Sequence, residues 1–244
     1  MTDRSTPPVF TRVLPLLTSV PDDPDFEHGY LDLLGGEAGE PSGPIQSFWE
    51  SGPGSGLYDH VQSIARRVAP AWYRIPARSR PPEGGRVLDI GCGPGNATAA
   101  LGRQVGPAGL AIGLDISRPM LARAARGETS GNVGFIRADA RDLPFPEGTF
   151  DLVTSFAALQ LIPAPEEVLA AACRTLVPGG WLAVMVPTPH DGFLHVVSRL
   201  VGDRTGLAFF DPDQIAEQLD DGGMRSVHTH RTGPVLWINA QRPG

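Results

Sequence analysis

Lysine is absent from this chain of 244 residues, so all 20 of its basic side chains are arginines. That excludes Schiff-base chemistry on a lysine amine and the lysine-bearing phosphate loop of nucleotide hydrolases. Cysteine is scarce. Cys92 and Cys173 are the only two, too few for a disulfide framework or a thiolate zinc site. Aromatic residues make up 7% of the chain. No apolar run reaches the 18 or so residues that a membrane-spanning helix needs, and no basic-then-apolar leader is evident at the start. A cytoplasmic protein without membrane insertion is the expectation. Positive charge is also in short supply, with a net charge of −7 and a pI near 5.3. Without a basic stripe, a nucleic-acid backbone is not an expected partner. Arginine in place of lysine, with 30 Gly and 25 Pro, points to a GC-rich bacterial genome. The 41% hydrophobic content is enough for one sizeable core with additions.

What is present centres on Val87-Leu88-Asp89-Ile90-Gly91-Cys92-Gly93-Pro94-Gly95-Asn96. It reads as a buried strand running into a glycine loop, with the alanine-rich helix around Ala97–Leu101 behind it. Glycine lacks a Cβ, so such a loop lets a ligand approach the backbone. In the dinucleotide fingerprint the third glycine comes one residue later, and a pyrophosphate sits on the helix N-terminus. Here the glycine comes early and an acid, Asp89, stands beside the loop. An acid repels a pyrophosphate and suits a cationic ligand.

A second apolar run, Leu110–Leu114, ends in Asp115, about twenty residues past the loop. At that spacing a doubly wound sheet puts a carboxylate on a ribose diol. Ser117 is the expected N-cap of the next helix, with Pro119 in its first turn. A third run, Val133–Ile136, leads to Arg137-Ala138-Asp139-Ala140. Leu143-Pro144-Phe145 to Phe150-Asp151-Leu152-Val153 covers a turn and a fourth strand, with Ser155-Phe156 at its end. Arg174-Thr175-Leu176-Val177-Pro178-Gly179-Gly180-Trp181-Leu182 closes a helix on a Pro-Gly-Gly turn and opens a fifth strand.

This series resembles, over roughly residues 85 to 187, the class I S-adenosylmethionine-dependent methyltransferases, and within them the ubiquinone/menaquinone C-methyltransferase-like group and its secondary-metabolite relatives. The resemblance implies an α/β fold, a doubly wound Rossmann-like seven-stranded sheet, mostly parallel with the last strand antiparallel. It implies an N-terminal cap over residues 1–84, partly irregular, before a cofactor-binding domain over 85–244. The implied cofactor is S-adenosylmethionine, leaving as S-adenosylhomocysteine. Its implied contacts are Asp89, Gly91, Cys92, Gly93, Gly95, Asn96, Asp115, Ile116, Met120, Asp139, Ala140 and Phe156. Asp139 would stand near the adenine amino group and the Ala140 backbone beside the ring. Asp89→Ala and Asp115→Ala are each expected to weaken cofactor binding and to leave the fold intact.

The expected activity is methyl transfer to an oxygen or carbon of a small, partly hydrophobic acceptor of phenol, quinone or secondary-metabolite type. The alternatives are a cofactor-binding module without catalysis and an NAD-dependent oxidoreductase. Related enzymes often carry histidine after strand four, where this chain has Gln160, which can orient a substrate but takes no proton at neutral pH. His190, just past the fifth strand, is the candidate base, with a water-facing loop histidine as the plainer reading. His60 could lie on the capping helix, and His195 reads as a helix surface. His228 and His230 would share a strand face, but no third ligand completes a metal site.

Residues 1 to about 56 are rich in Pro, Gly, Asp and Ser, with scattered Phe10, Phe26, Tyr30, Phe48 and Trp49, and a loosely attached start is expected. A helix is expected from Leu57 to Val68, Gly52–Gly56 reads as a linker, and Phe193–Val201 reads as a short amphipathic helix. Its apolar residues, with Leu207, Phe209 and Phe210, are candidates for a lid. Asp211 is an expected N-cap before Pro212, and two strands near 225–229 and 235–240 end the chain.

Overall fold

The computed structural model describes residues 6–35, 75–128, 130–187, 210–232 and 235–244. The expected helix over Leu57–Val68, the linker Gly52–Gly56, the helix Phe193–Val201, and His60, His190 and His195 lie outside them.

The strands are β1 (Leu31–Asp32), β2 (Arg86–Ile90), β3 (Leu110–Asp115), β4 (Val133–Arg137), β5 (Phe150–Phe156), β6 (Leu176–Pro187), β7 (Arg225–Thr232) and β8 (Val235–Gln241). They form one sheet in the order β1-β4-β3-β2-β5-β6-β8-β7. β1 to β6 are parallel neighbours, and β8 runs antiparallel to both β6 and β7. The doubly wound α/β sheet is therefore present with its antiparallel ending. It has one strand more than the seven expected, because β1 adds to the outer edge of β4.

The central strands are apolar on both faces, as strands covered on both sides must be. Leu88, Ile90, Ile112, Leu114 and Ile136 face one layer. It holds α1 (Phe10–Val13), α4 (Pro165–Thr175) and α5 (Pro212–Asp221). Val87, Ala111, Phe135 and Leu152 face the other layer, with α2 (Asn96–Val105) and α3 (Arg118–Gly127). The alternation follows from the two-residue period of a strand. It also puts Asp89 on the α2 side with Val87. Burying each Leu, Ile or Phe of this kind stabilises the fold by about 1.5–3 kcal/mol.

The start of the chain corrects an expectation. Residues 6–35 pack onto the sheet instead of hanging loosely. The reason lies in the link from β4 to β5, residues 138–149, which contains no helix. That leaves one face of β4 uncovered, and the N-terminal turn covers it. At Gly134 a Cβ would stand 3.3 Å from Val9 and 3.5 Å from Val13. Phe10 is 1% exposed and stacks at a tilt on Phe26, with centroids 4.7 Å apart. Arg12 donates to the carbonyls of Pro107, Ala108 and Gly109 at 3.2, 2.7 and 2.7 Å, and the Thr18 N–H donates to the Pro144 carbonyl at 3.0 Å. Tyr30, 1% exposed, belongs to the opposite layer, beside Leu121 and Ala124.

Of the two expected N-caps, Asp211 accepts from the N–H groups of Asp213 and Gln214 at the start of α5. Ser117 precedes α3 but makes no side-chain cap bond. Asp115 Oδ1 takes the Ser117 N–H at 2.9 Å instead.

Candidate active site

The glycine loop follows β2 directly. The N–H groups of Gly91 and Cys92 both donate to the Leu114 carbonyl, at 2.8 and 3.1 Å, which locks the loop to the end of β3. Gly91 has φ +67°, and a Cβ there would fall 2.3 Å from the Ala158 Cβ. Gly95 has φ +78° as the N-cap of α2. A Cβ there would meet the Phe135 ring at 2.6 Å and the Ala124 Cβ at 2.8 Å. Glycine is required at both positions, first by conformation and then by space.

A pocket opens at the C-terminal ends of β2, β3, β4 and β5, where doubly wound sheets bind ligands. Gly91 and Gly93 form one wall. Leu114, Asp115, Ile116, Ser117 and Met120 come from the end of β3 and the start of α3. Ala138, Asp139, Ala140 and Arg141 follow β4, and Ala157, Ala158, Leu161, Ile162 and Pro163 follow β5. Seven of the expected contacts therefore share this pocket: Gly91, Gly93, Asp115, Ile116, Met120, Asp139 and Ala140.

Asp115 ties the site together. Its Oδ2 accepts from the Gly93 N–H at 2.8 Å, and its Oδ1 accepts from Ser117. Asp139 stands at the rim with 26% of its side chain exposed. Arg141 Nε donates to both of its oxygens at 3.0 and 3.1 Å, and Nη2 donates to Oδ2 at 2.6 Å. These bonds hold the Asp139 carboxyl below its usual value of 3.8, against an opposing push from burial. The carboxylate in turn raises the Arg141 guanidinium above its ordinary range.

The remaining expected contacts, Asp89, Cys92, Gly95, Asn96 and Phe156, are not among the residues that line this pocket. Asp89 is 1% exposed. Its Oδ2 accepts from the Thr98 hydroxyl of α2 at 2.7 Å, and its Oδ1 accepts from the Thr154 hydroxyl of β5 at 2.9 Å. The Asp89 side chain thus clamps helix and strand beneath the loop, and its removal acts on the fold as well as on the loop. Cys92 is buried against Gly113. Burial above all, and then the negative charges of Asp115 and Asp89, push its thiol well above 9.0. It is a neutral packing group, not a nucleophile. Asn96 opens α2. Phe156 meets Trp237 edge-on, with centroids 5.8 Å apart.

Gln160 is buried in a single 3₁₀ turn, Leu159–Leu161. Its Nε2 donates to the Ala157 carbonyl at 2.7 Å, while Oε1 is buried without a hydrogen-bond partner. Ala157 has φ +53°, so Gln160 braces a strained turn in the pocket wall. His228 and His230 both lie on β7, opposite Asn239 and Trp237. Among the described residues no three His, Cys, Asp or Glu side chains gather as metal ligands, and no helix is long and apolar enough to cross a membrane.

Thr98, Thr154 and Arg141 were not singled out from the sequence. Thr98 follows Asp89 by nine residues, inside the helix that packs on the same strand face, and that spacing is a usable signal. Thr154 comes from a distant strand and leaves none.

The sheet thus gathers the glycine loop and two carboxylates, Asp115 and Asp139, at one pocket on its C-terminal edge. The chain is similar to class I S-adenosylmethionine-dependent methyltransferases, and its residues 87–180 match the methyltransferase domain family. It is 39% identical over 187 residues to a trans-aconitate 2-methyltransferase of Streptomyces avermitilis, covering 74% of this chain and 64% of that protein. It is 41% identical over 107 residues to the ubiquinone/menaquinone biosynthesis C-methyltransferase UbiE of Pseudomonas aeruginosa, covering 42% of this chain and 41% of that protein. The chain thus spans under two thirds of the length of these relatives. In structure it is similar to phosphoethanolamine N-methyltransferase 2 of Haemonchus contortus bound to S-adenosylhomocysteine. The TM-score is 0.68 at 17% identity, over 82% of this chain and 60% of that one. It is also similar to SpnF, described as a [4+2]-cyclase, with a TM-score of 0.59 at 22% identity over 75% of this chain and 82% of that one. The fold is thus shared by a protein described by a different reaction, so the chemistry has to be argued from the site.

Proposed function

We propose that this chain transfers the methyl group of S-adenosylmethionine to an oxygen or carbon atom of a small, partly hydrophobic acceptor. One observation carries the reading. A glycine loop, a carboxylate at the end of the neighbouring strand and an apolar slot with a carboxylate at its rim line one pocket. That donor set suits a cationic nucleoside. In this reading Asp115 takes the ribose diol. Asp139 and the Ala140 backbone take the adenine edge, and Ile116 and Met120 pack on the ring. Gly91 and Gly93 admit the amino-acid tail, while Cys92, Gly95 and Asn96 shape the loop. Asp89 supports that loop from beneath, and Phe156 closes the end of β5.

S-adenosylmethionine supplies an electrophilic methyl group whose leaving group is already activated. What remains for the protein is alignment and exclusion of water. Holding two reactants in line contributes on the order of 7–11 kcal/mol in favourable cases. The bracing of Ala157 by Gln160 and the locking of Gly91 to Leu114 provide rigid walls for that purpose. The pocket wall carries no histidine among the described residues. A base for acceptors that must lose a proton is therefore sought in His190, and Gln160 serves in bracing the turn. Residues 1–84 are read as the segment that covers the site, and 85–244 as the catalytic domain.

A second reading has its own support. The 39% identity with the trans-aconitate enzyme extends over 187 residues, well beyond the glycine-loop region, and favours a small carboxylate acceptor. Methyl-labelled S-adenosylmethionine, incubated with the protein and two acceptor panels, tests both. Label transfer to phenols or quinones supports the first reading, and transfer to small polycarboxylates supports the second. Binding without S-adenosylhomocysteine formation on either panel favours a non-catalytic cofactor-binding module.

A further inference from the structure

Arg137 is the largest fully buried side chain among the described residues. Its side chain is 2% exposed, and its partner Asp32 is 4% exposed. Desolvating two charges costs several kcal/mol per ion, and an apolar pair of the same volume often stabilises a fold as well or better. Edge packing alone therefore gives no reason for an arginine here. The bonds it makes do.

Arg137 ends β4, in register with Asp32 of β1 on one side and Asp115 of β3 on the other. Nη1 donates to both Asp32 oxygens at 3.1 Å and to the Gly35 carbonyl at 2.9 Å. Nε turns the other way and donates to the Ile116 carbonyl at 3.0 Å. Ile116 lies in the pocket wall between Asp115 and Ser117. Arg118, at the start of α3, approaches Asp32 Oδ2 to 3.4 Å and donates to the same Gly35 carbonyl. Asp32 Oδ1 also accepts from the N–H groups of Leu34 and Gly35, each at 2.9 Å. One guanidinium fork thus spans from the N-terminal strand to the turn that carries the ribose-facing carboxylate. A lysine amine, a single point of charge, cannot hold both ends.

We propose that Arg137 is a positioning residue of the cofactor site, holding the Asp115–Ser117 turn through the Ile116 carbonyl while anchored to Asp32 of the N-terminal strand. The proposal rests on the S-adenosylmethionine reading above. It makes β1 a working part of the pocket, although neither Asp32 nor Arg137 lines it.

The test uses full-length wild type, Arg137→Lys and Asp32→Asn. Each is measured by thermal unfolding, and by calorimetric titration with S-adenosylhomocysteine at a temperature where it is folded. Arg137→Lys keeps a cation for Asp32 but gives up the Ile116 bond, so a loss of affinity of about tenfold is expected from the folded variant. Asp32→Asn keeps the Ile116 bond but loosens the anchor, and a smaller loss of about threefold is expected. Affinities within twofold of wild type in both variants, whatever the change in melting temperature, would show a purely structural pair and overturn the proposal. Wild type that binds no S-adenosylhomocysteine overturns the cofactor reading itself, and this proposal with it.

Discussion

Asp89→Ala is the substitution for which sequence and structure lead to different outcomes. From the motif, it weakens cofactor binding and leaves the fold intact. In the structure, the carboxylate is 1% exposed and accepts from the hydroxyls of Thr98 and Thr154 at 2.7 and 2.9 Å. Alanine removes both acceptors and leaves a small void between α2 and β5. Leaving a buried donor unsatisfied costs about 1–3 kcal/mol. The Thr154 hydroxyl has a fallback in the Leu88 carbonyl at 3.3 Å, which lowers its share. A total near 3 kcal/mol is expected, from about 2 for Thr98 and about 1 for Thr154. For a domain of this size each kcal/mol moves the melting temperature by about 2–4 °C, so the ligand-free variant should melt about 6–12 °C below wild type. Asp89→Asn keeps one acceptor oxygen and should lose roughly half as much. Circular dichroism melts of the two variants and wild type, without ligand, provide the assay. An Asp89→Ala melting temperature within about 2 °C of wild type would refute the clamp and leave Asp89 with the role of a cofactor contact alone.

Other substitutions separate neighbouring roles. Gly91→Ala puts a Cβ 2.3 Å from that of Ala158 at a φ of +67°. It should cost at least about 2 kcal/mol by denaturant unfolding and abolish cofactor binding. Ser117→Ala should stay within about 0.5 kcal/mol of wild type, because its buried hydroxyl has no partner and is not the cap of α3; a true N-cap would cost about 1 kcal/mol. The third concerns pH. Arg141 depresses the Asp139 carboxyl below 3.8 in the folded protein. The stabilisation it gives is thus present above that usual value and disappears as pH falls through the lower folded-state value. Cofactor affinity carried by Asp139 should accordingly be flat from about pH 5 to 8. In Arg141→Ala the acid limb of S-adenosylhomocysteine binding should move upward, and an unmoved limb would deny Arg141 this role.

The parts of the fold that follow from local pattern were legible. The run from Val87 to Gly95 reads as strand and loop because apolar continuity and glycine spacing are local properties, and the strand it implies is β2. The ends of β3, β4 and β5 follow for the same reason, as does the antiparallel pair at the end of the chain. What was not legible depends on distant neighbours. Phe10 and Tyr30 sit in a polar, proline-rich stretch, and nothing local says that Phe10 covers the sheet face left by the helix-free link at 138–149 or that Tyr30 packs into the opposite layer. The weak signal was the shortness of that link. Arg137 drew no reading of its own, because its partner is 105 positions away. Ser117 looked like a cap, but the Asp115 carboxylate two residues earlier reaches the N–H first. Asp89 was placed in the right strand and at the right loop. Its enclosure by two threonines, one of them from β5, is tertiary information.

Calorimetric titration of the purified chain with S-adenosylmethionine and S-adenosylhomocysteine, with NAD as control, tests the central claim most directly. Saturable one-to-one binding of the first two and none of NAD is the expected result, with the binding lost in Gly91→Ala. No heat from either sulfur ligand, or a binding curve with NAD, would contradict it.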